Sequence, residues 1–278
     1  MSYLENLREH YLDQPNEISL ETLALCNARC TFCPYPTMER IGDKMPDELI
    51  DRLVDEMAAF KKPFLFSPFK VNEPFLDSRL IPLCKIMNEW VPLASLRIFT
   101  NGSALTPEKV AGVAELKSVR HLWVSLNEID PEKYHALMGL NFDMTAKRLD
   151  YLHKQDFPHP VMLSSVGYPN EEFRKYCFDR WPKFESMAIM RTSWLGYVDP
   201  QVPEIPDTPC SRWFELSIMA SGIVSLCCMD SEGKFQIGDL NKQTLLEVYN
   251  APAWRERREK MLGRTGINPC STCSYGNT

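Results

Sequence analysis

The sequence has no stretch of about 18 uncharged apolar residues, the length a membrane-spanning helix needs. Its opening, MSYLENLREHYLDQPNEISLETLAL, scatters charges among the apolar positions, so it lacks the basic segment and unbroken apolar core of a secretory signal. An excess of basic residues is absent too. The 31 Lys and Arg stand against 37 Asp and Glu, a formal charge of −6, which argues against nucleic acid as the main partner because phosphate binding needs a basic surface. The five histidines, His10, His121, His135, His153 and His159, show no ligand spacing among themselves. There is no internal repeat and no low-complexity segment. The expectation is a cytoplasmic protein with neither a membrane nor a nucleic-acid partner.

What the sequence does have is cysteine, ten in 278 residues. Reducing conditions make a disulfide framework an unfavoured reading, so clustered cysteines read as metal ligands or catalytic thiols. Three of them lie in CNARCTFCPY, residues 26–35, with Cx3Cx2C spacing. As core residues they make a poor helical stripe, since Asn27, Ala28, Arg29 and Thr31 intervene and Pro34 ends the run. Zinc usually takes four ligands from two separated pairs, and one loop with three thiols leaves it short. Iron–sulfur clusters are held by closely spaced thiolates, and three ligands leave one iron open.

Periodicity sets the frame for that loop. Short β-rich runs at 17–24, 63–69, 95–100, 121–126, 160–166 and 186–192 alternate with amphipathic helix candidates. Six β-then-α units imply a parallel sheet, because parallel neighbours need a helical crossover. The expected fold is α/β, a partial six-unit (β/α) TIM-like barrel, with chemistry at the C-terminal ends of the strands. Prolines 200, 203, 206 and 209 then mark a connector. Beyond it, WFELSIMASGIVSLCCM reads as a hairpin turning at Ala220, Ser221 and Gly222. A helix over 244–262 and a terminal CSTC follow. The expected domains are 1–197, a linker at 198–209, and a small α+β hairpin-and-helix unit at 210–278.

CNARCTFC resembles the cluster loop of radical S-adenosylmethionine (SAM) enzymes, including an aromatic residue, Phe32, before the last cysteine. The resemblance implies that Cys26, Cys30 and Cys33 hold a 4Fe-4S cluster whose open iron chelates SAM. One electron then cleaves SAM to a 5′-deoxyadenosyl radical, with an electron donor such as flavodoxin or ferredoxin as partner. VNEPF, 71–75, is similar to the family's GGEP motif, which holds the methionine amino group. Val71 and Asn72 stand where the family has glycines, and Glu73 and Pro74 are kept; the plain alternative for Glu73 is a helix-start carboxylate. FTNGSAL, with Thr100 and Asn101, is similar to the family's TNG segment. VSLNEIDPEKYHALMG is similar to the segment that brings Ser125 and Asn127 near SAM.

Cys210, Cys227, Cys270 and Cys273 resemble the ligands of the SPASM/twitch extension of the same family. The chain runs five residues past Cys273, so the resemblance implies one auxiliary 4Fe-4S cluster with four protein ligands, the shortened twitch arrangement. A structural zinc site is the alternative for these four. Cys227 and Cys228 compete for one ligand place, because successive strand residues point to opposite faces. The Gly-x4-Cys spacing favours Cys227 and leaves Cys228 as packing, an alternative ligand or a hydrogen donor. Cys84 and Cys177 sit on helical apolar stripes and read as buried packing.

In length and cluster count the chain resembles the family's aminocyclitol (deoxy-scyllo-inosamine) dehydrogenases. That implies an oxidoreductase acting on a small molecule: a secondary alcohol of a sugar, polyol or aminocyclitol loses two electrons, one of them to the auxiliary cluster. Arg191, in IMRTSW, and Tyr168, after the fifth strand, are the candidates to face that substrate. A surface salt bridge and a packed ring are their plain readings. Epimerisation with Cys228 returning the hydrogen is a second reaction. Radical modification of a ribosomal peptide is a third, disfavoured because about 17 residues before the first strand are too few for a recognition domain.

Overall fold

The computed structural model describes residues 1–167, 169–201 and 204–276. The six β-rich runs become β1 (Glu17–Leu20), β2 (Phe64–Ser67), β3 (Ala94–Thr100), β4 (Val119–Ser125), β5 (Val161–Val166) and β6 (Glu185–Ile189). Each pairs in parallel with the next. A helix, α1 (Tyr3–Tyr11), precedes them. It carries little apolar periodicity, with only Leu7 buried, and starts from a capping box between Ser2 and Glu5.

The crossovers are α2 (Asp47–Ala58), α3 (Leu80–Trp90), α4 (Pro107–Ala114), α5 (Pro131–Met138), α6 (Phe142–Lys154) and α7 (Glu171–Arg180). Thr106, Asp130, Asn141 and Asn170 cap α4 to α7, their side-chain oxygens accepting from first-turn N–H groups. The period-two pattern of the strands sends Leu96 and Ile98 of β3 and Leu122 and Val124 of β4 into the core shared with the helices. Arg97, Phe99, His121 and Trp123 take the other face, where Phe99 stacks on Phe69 and tilts against Trp123.

The C-terminal hairpin joins the same sheet. β7 (Glu215–Ile218) pairs in parallel with β1 on the edge that β2 leaves free. β8 (Ile223–Ser225) and β9 (Gln236–Asp239) then add antiparallel. The order is β6-β5-β4-β3-β2-β1-β7-β8-β9, an open partial barrel with its end strands unclosed. Gly222 makes the hairpin turn at φ 84°, a conformation that favours glycine. The single helix expected over 244–262 is two helices, α8 (Leu245–Tyr249) and α9 (Pro252–Lys260). Pro252 lacks the N–H that a continuous helix would need and takes the first-turn position of the second one. Among the described residues no helix is long and apolar enough to cross a membrane.

Candidate functional site

The loop after β1 carries Cys26, Cys30 and Cys33, all partly exposed, with Phe32 partly buried in the same turn. Its shape comes from backbone docking. Arg29 N donates to Met138 O (2.8 Å) and Thr31 N to Leu137 O (2.9 Å), so the loop satisfies two carbonyls that the end of α5 leaves without helical partners. On its other side, Asn27 Nδ2 donates to Ser103 Oγ at 2.8 Å and Asn101 Nδ2 to Asn27 Oδ1 at 2.9 Å. Burial pushes the Cys26 thiol up to about 12 and Cys33 to about 11, and Cys30 rises further. Charge on Cys33 works against ionisation of both Cys26 and Cys30. Three thiols this close ionise together only when a metal centre stabilises the thiolates.

The VNEPF segment meets this loop through Glu73, whose N–H donates to Leu25 O at 2.9 Å. The Glu73 carboxylate is buried and accepts from Thr100 Oγ1 (2.8 Å), Asn101 N (2.6 Å) and Phe75 N (3.2 Å). It is thus both the cap of the short turn at Pro74 and the tie between the ends of β2 and β3. Burial pushes it up to about 7. Asn72 Oδ1 accepts from Lys70 N at 3.0 Å, and Asn72 Nδ2 is buried with no partner among the described residues. A buried amide donor without a partner is costly, so this atom suits a polar ligand at the strand ends.

Ser125 ends β4 and is partly exposed. Asn127 is at φ 67° and spends its side chain on the frame: Oδ1 accepts from Val166 N (3.1 Å), and Nδ2 faces Ser125 O (3.2 Å) and Met138 Sδ (3.3 Å). Arg191 follows β6. It makes no ion pair among the described residues, and its Nε is buried without a partner. Tyr168 lies outside the described residues.

A second centre lies in the C-terminal region. Cys210, Cys227, Cys270 and Cys273 line one pocket, and Cys228 is not among its lining residues. Trp213, Arg212 and Arg264 share the wall. Burial raises the thiols of Cys210 (to about 12), Cys227 and Cys270, while the Arg264 guanidinium pulls Cys210 back down. An all-sulfur set of four around one cavity fits a cluster that takes one thiolate on each of four irons. Among the described residues no three His, Cys, Asp or Glu side chains converge at distances suited to a single metal ion.

Sequence reading passed over the residues that join the two centres. Trp194 and Leu195, at φ 46° and 55°, are followed by Gly196 at 97°. This tight turn sends neighbouring side chains to different places: Trp194, like Cys26 and Cys33, packs against the cluster of Tyr35, Met38 and Val71, and Leu195 lines the four-cysteine pocket. Lys70, at the foot of the VNEPF segment, is fully enclosed and reaches the hairpin. A lysine between a strand and a motif, in SPFKVNEP, was the available signal.

Comparison with known families matches residues 20–176 to the radical SAM superfamily and residues 210–274 to the SPASM iron-sulfur cluster-binding domain. No curated protein sequence matches the chain. Among solved structures, BtrN in complex with AdoMet and 2-DOIA aligns with TM-score 0.66 at 18% identity, over 94% of this chain and 93% of that one. Streptococcus suis SuiB bound to precursor peptide SuiA aligns with TM-score 0.72 at 15% identity, over 97% and 72%. Native anSMEcpe with bound AdoMet gives 0.59 at 14%, over 88% and 82%. At such identities these likenesses show the fold. The superfamily match spans more than half the chain and falls on the segment that carries the Cx3Cx2C loop and the strand ends around it. The chain therefore belongs to the radical SAM superfamily, with a domain that binds SAM and a 4Fe-4S cluster and a C-terminal domain that binds an additional iron–sulfur cluster.

Proposed function

We propose that the chain is a radical SAM oxidoreductase that converts a secondary alcohol of a small polar substrate, a sugar, polyol or aminocyclitol, to the ketone. The observation that carries this reading is the closed set of Cys210, Cys227, Cys270 and Cys273 around one cavity. Four thiolates on four irons leave no position for substrate, so an electron is what such a cluster can take. Bound SAM, with the cluster that Cys26, Cys30 and Cys33 would hold, would supply a 5′-deoxyadenosyl radical for abstraction of the hydrogen atom from the carbinol carbon; with the hydroxyl proton lost to solvent, a cluster held by Cys210, Cys227, Cys270 and Cys273 would accept the remaining electron and complete the two-electron oxidation. Arg191 is our candidate to hold the substrate oxygen, because its buried Nε has no partner among the described residues and a guanidinium stabilises a developing alkoxide without itself titrating. The fold likeness to BtrN, solved with AdoMet and 2-DOIA, agrees with a small-molecule substrate.

Epimerisation is a second reading, favoured by the departure of Cys228 from the cavity lining. A free thiol there is available to return a hydrogen atom. The test is anaerobic reconstitution to about eight irons per chain, then dithionite, SAM and a panel of sugars, polyols and aminocyclitols. Dehydrogenation gives 5′-deoxyadenosine and ketone in equal amounts, with ketone formation lost in Arg191→Gln. A stereoinverted product that disappears in Cys228→Ala selects epimerisation. Turnover with peptides and none of the panel overturns the small-molecule reading.

A further inference from the structure

Among the described residues, two basic side chains beside the four-cysteine pocket hydrogen-bond to no carboxylate. Arg264 is 1% exposed and lines the cavity. Its Nε donates to Thr208 O at 3.0 Å and its Nη1 to Tyr275 O at 2.5 Å, while Nη2 is buried with no partner among the described residues. Lys70, also 1% exposed, approaches from the barrel side. Its Nζ donates to Ser217 Oγ (3.0 Å), Ser225 Oγ (2.7 Å) and Cys227 O (3.2 Å).

Ser225 Oγ faces the carbonyls of Ser217 and Cys227 as a donor and accepts from Lys70. An ammonium has three donors and no acceptor, and this nest uses all three on neutral oxygens. Arg212, the third cation nearby, differs in pairing with Glu215 at 2.8 Å. Buried charge persists where opposite charge is close. Burial works against the Lys70 ammonium and the Glu21 carboxylate works for it, although Glu21 also pairs with Arg40.

Taking Cys210, Cys227, Cys270 and Cys273 as the auxiliary ligands, on which this rests, we propose that Lys70 and Arg264 are the cluster's counter-charges. They are positioning residues that raise its reduction potential and so make it an electron acceptor. Net charge and hydrogen bonds to sulfur set such potentials. The reduced cluster carries one more negative charge than the oxidised one, so a fixed buried cation favours the reduced state.

The test uses the full-length chain carrying Cys26→Ala, Cys30→Ala and Cys33→Ala, reconstituted with iron and sulfide, so that only the auxiliary cluster remains. About four irons per chain verify the ligand reading, and no iron overturns that reading by itself. A redox titration followed by electron paramagnetic resonance then compares this parent with added Lys70→Met, Lys70→Gln or Arg264→Gln. Each is expected to lower the potential by about 59 mV or more, a tenfold shift in a one-electron equilibrium. Unchanged potentials in both Lys70 variants at full iron overturn the proposal. A fall in Lys70→Met but not in Lys70→Gln, which keeps a donor, also overturns it, by assigning the effect to a hydrogen bond and not to charge.

Discussion

The two cysteine centres are built on opposite plans. Cys26, Cys30 and Cys33 fall within eight successive positions of one loop, held by backbone hydrogen bonds to the end of α5 and by the Glu73 tie to β3. Cys210, Cys227, Cys270 and Cys273 come from three distant segments, meet around one pocket, and are flanked by arginine and lysine side chains. The first plan leaves its thiols partly exposed, as an open coordination position requires. The second buries Cys210, Cys270 and Cys273 and leaves Cys227 partly exposed, and its four thiols suit a group that exchanges electrons and not ligands.

The strongest test of that contrast removes one thiol from each. Cys26→Ala is expected to abolish SAM cleavage completely and to lower the iron content from about eight to about four per chain. Cys210→Ala is expected to lose the same amount of iron and to keep SAM cleavage, releasing 5′-deoxyadenosine without ketone. Iron analysis and product chromatography on the two variants check both. Loss of SAM cleavage in Cys210→Ala, with the first cluster intact, would break the division of labour. Within the second centre, Cys227→Ala should lose the auxiliary cluster while Cys228→Ala keeps it, since only Cys227 lines the cavity.

A smaller effect is expected at the tie between strands. In Glu73→Gln the new amide sets a donor against donors, because all three groups that meet the carboxylate, Thr100 Oγ1, Asn101 N and Phe75 N, donate to it. One buried hydrogen bond becomes a donor–donor contact, which costs about 1–3 kcal/mol. Urea unfolding of the reconstituted protein should register this, together with weaker SAM binding by equilibrium dialysis. Unchanged stability with weakened binding would show that Glu73 meets SAM directly and does little for the frame.

How legible the two plans are in the sequence follows from how local they are. The six parallel strands and their crossovers follow from alternating apolar periods, and the cap residues Thr106 and Pro107 fix where α4 starts. The first centre reads from a single eight-residue window. The second needs Cys210 brought to Cys270 across 60 positions, and only its resemblance to a family groups the four. Nothing local in ELSI says that β7 will lie between β1 and β8, because a strand's own pattern sets its faces and not its partners. Nor does KVNEP say that Lys70 turns toward the hairpin and not to solvent. The break between α8 and α9 was readable, since Pro252 sits inside the run taken as one helix. Lys70 and Arg264 are long-range features, visible only when the sheet places β2 and the C-terminal tail around the same cavity.

The gentlest perturbation bears on the first centre alone. Gly139 ends α5 at φ 69°, and its N–H donates to His135 O at 2.8 Å. A Cβ there would lie 3.3 Å from Arg29 Cβ, between two of the cysteines in sequence. Gly139→Ala therefore combines left-handed strain, about 1 kcal/mol, with a push on the loop at the point where Arg29 N and Thr31 N dock on the helix end. Among the described residues the backbone hydrogen bonds of this joint run only between the loop and α5, so the effect should be one-sided. Iron at Cys26, Cys30 and Cys33 should be lost faster to a chelator, with the auxiliary cluster unaffected and thermal stability lowered slightly. Time-resolved chelation followed by cluster-specific electron paramagnetic resonance reads the two separately. Equal loss from both clusters would mean that the loop and the cavity, although built on different plans, open as one unit through the Trp194–Leu195 turn that touches both.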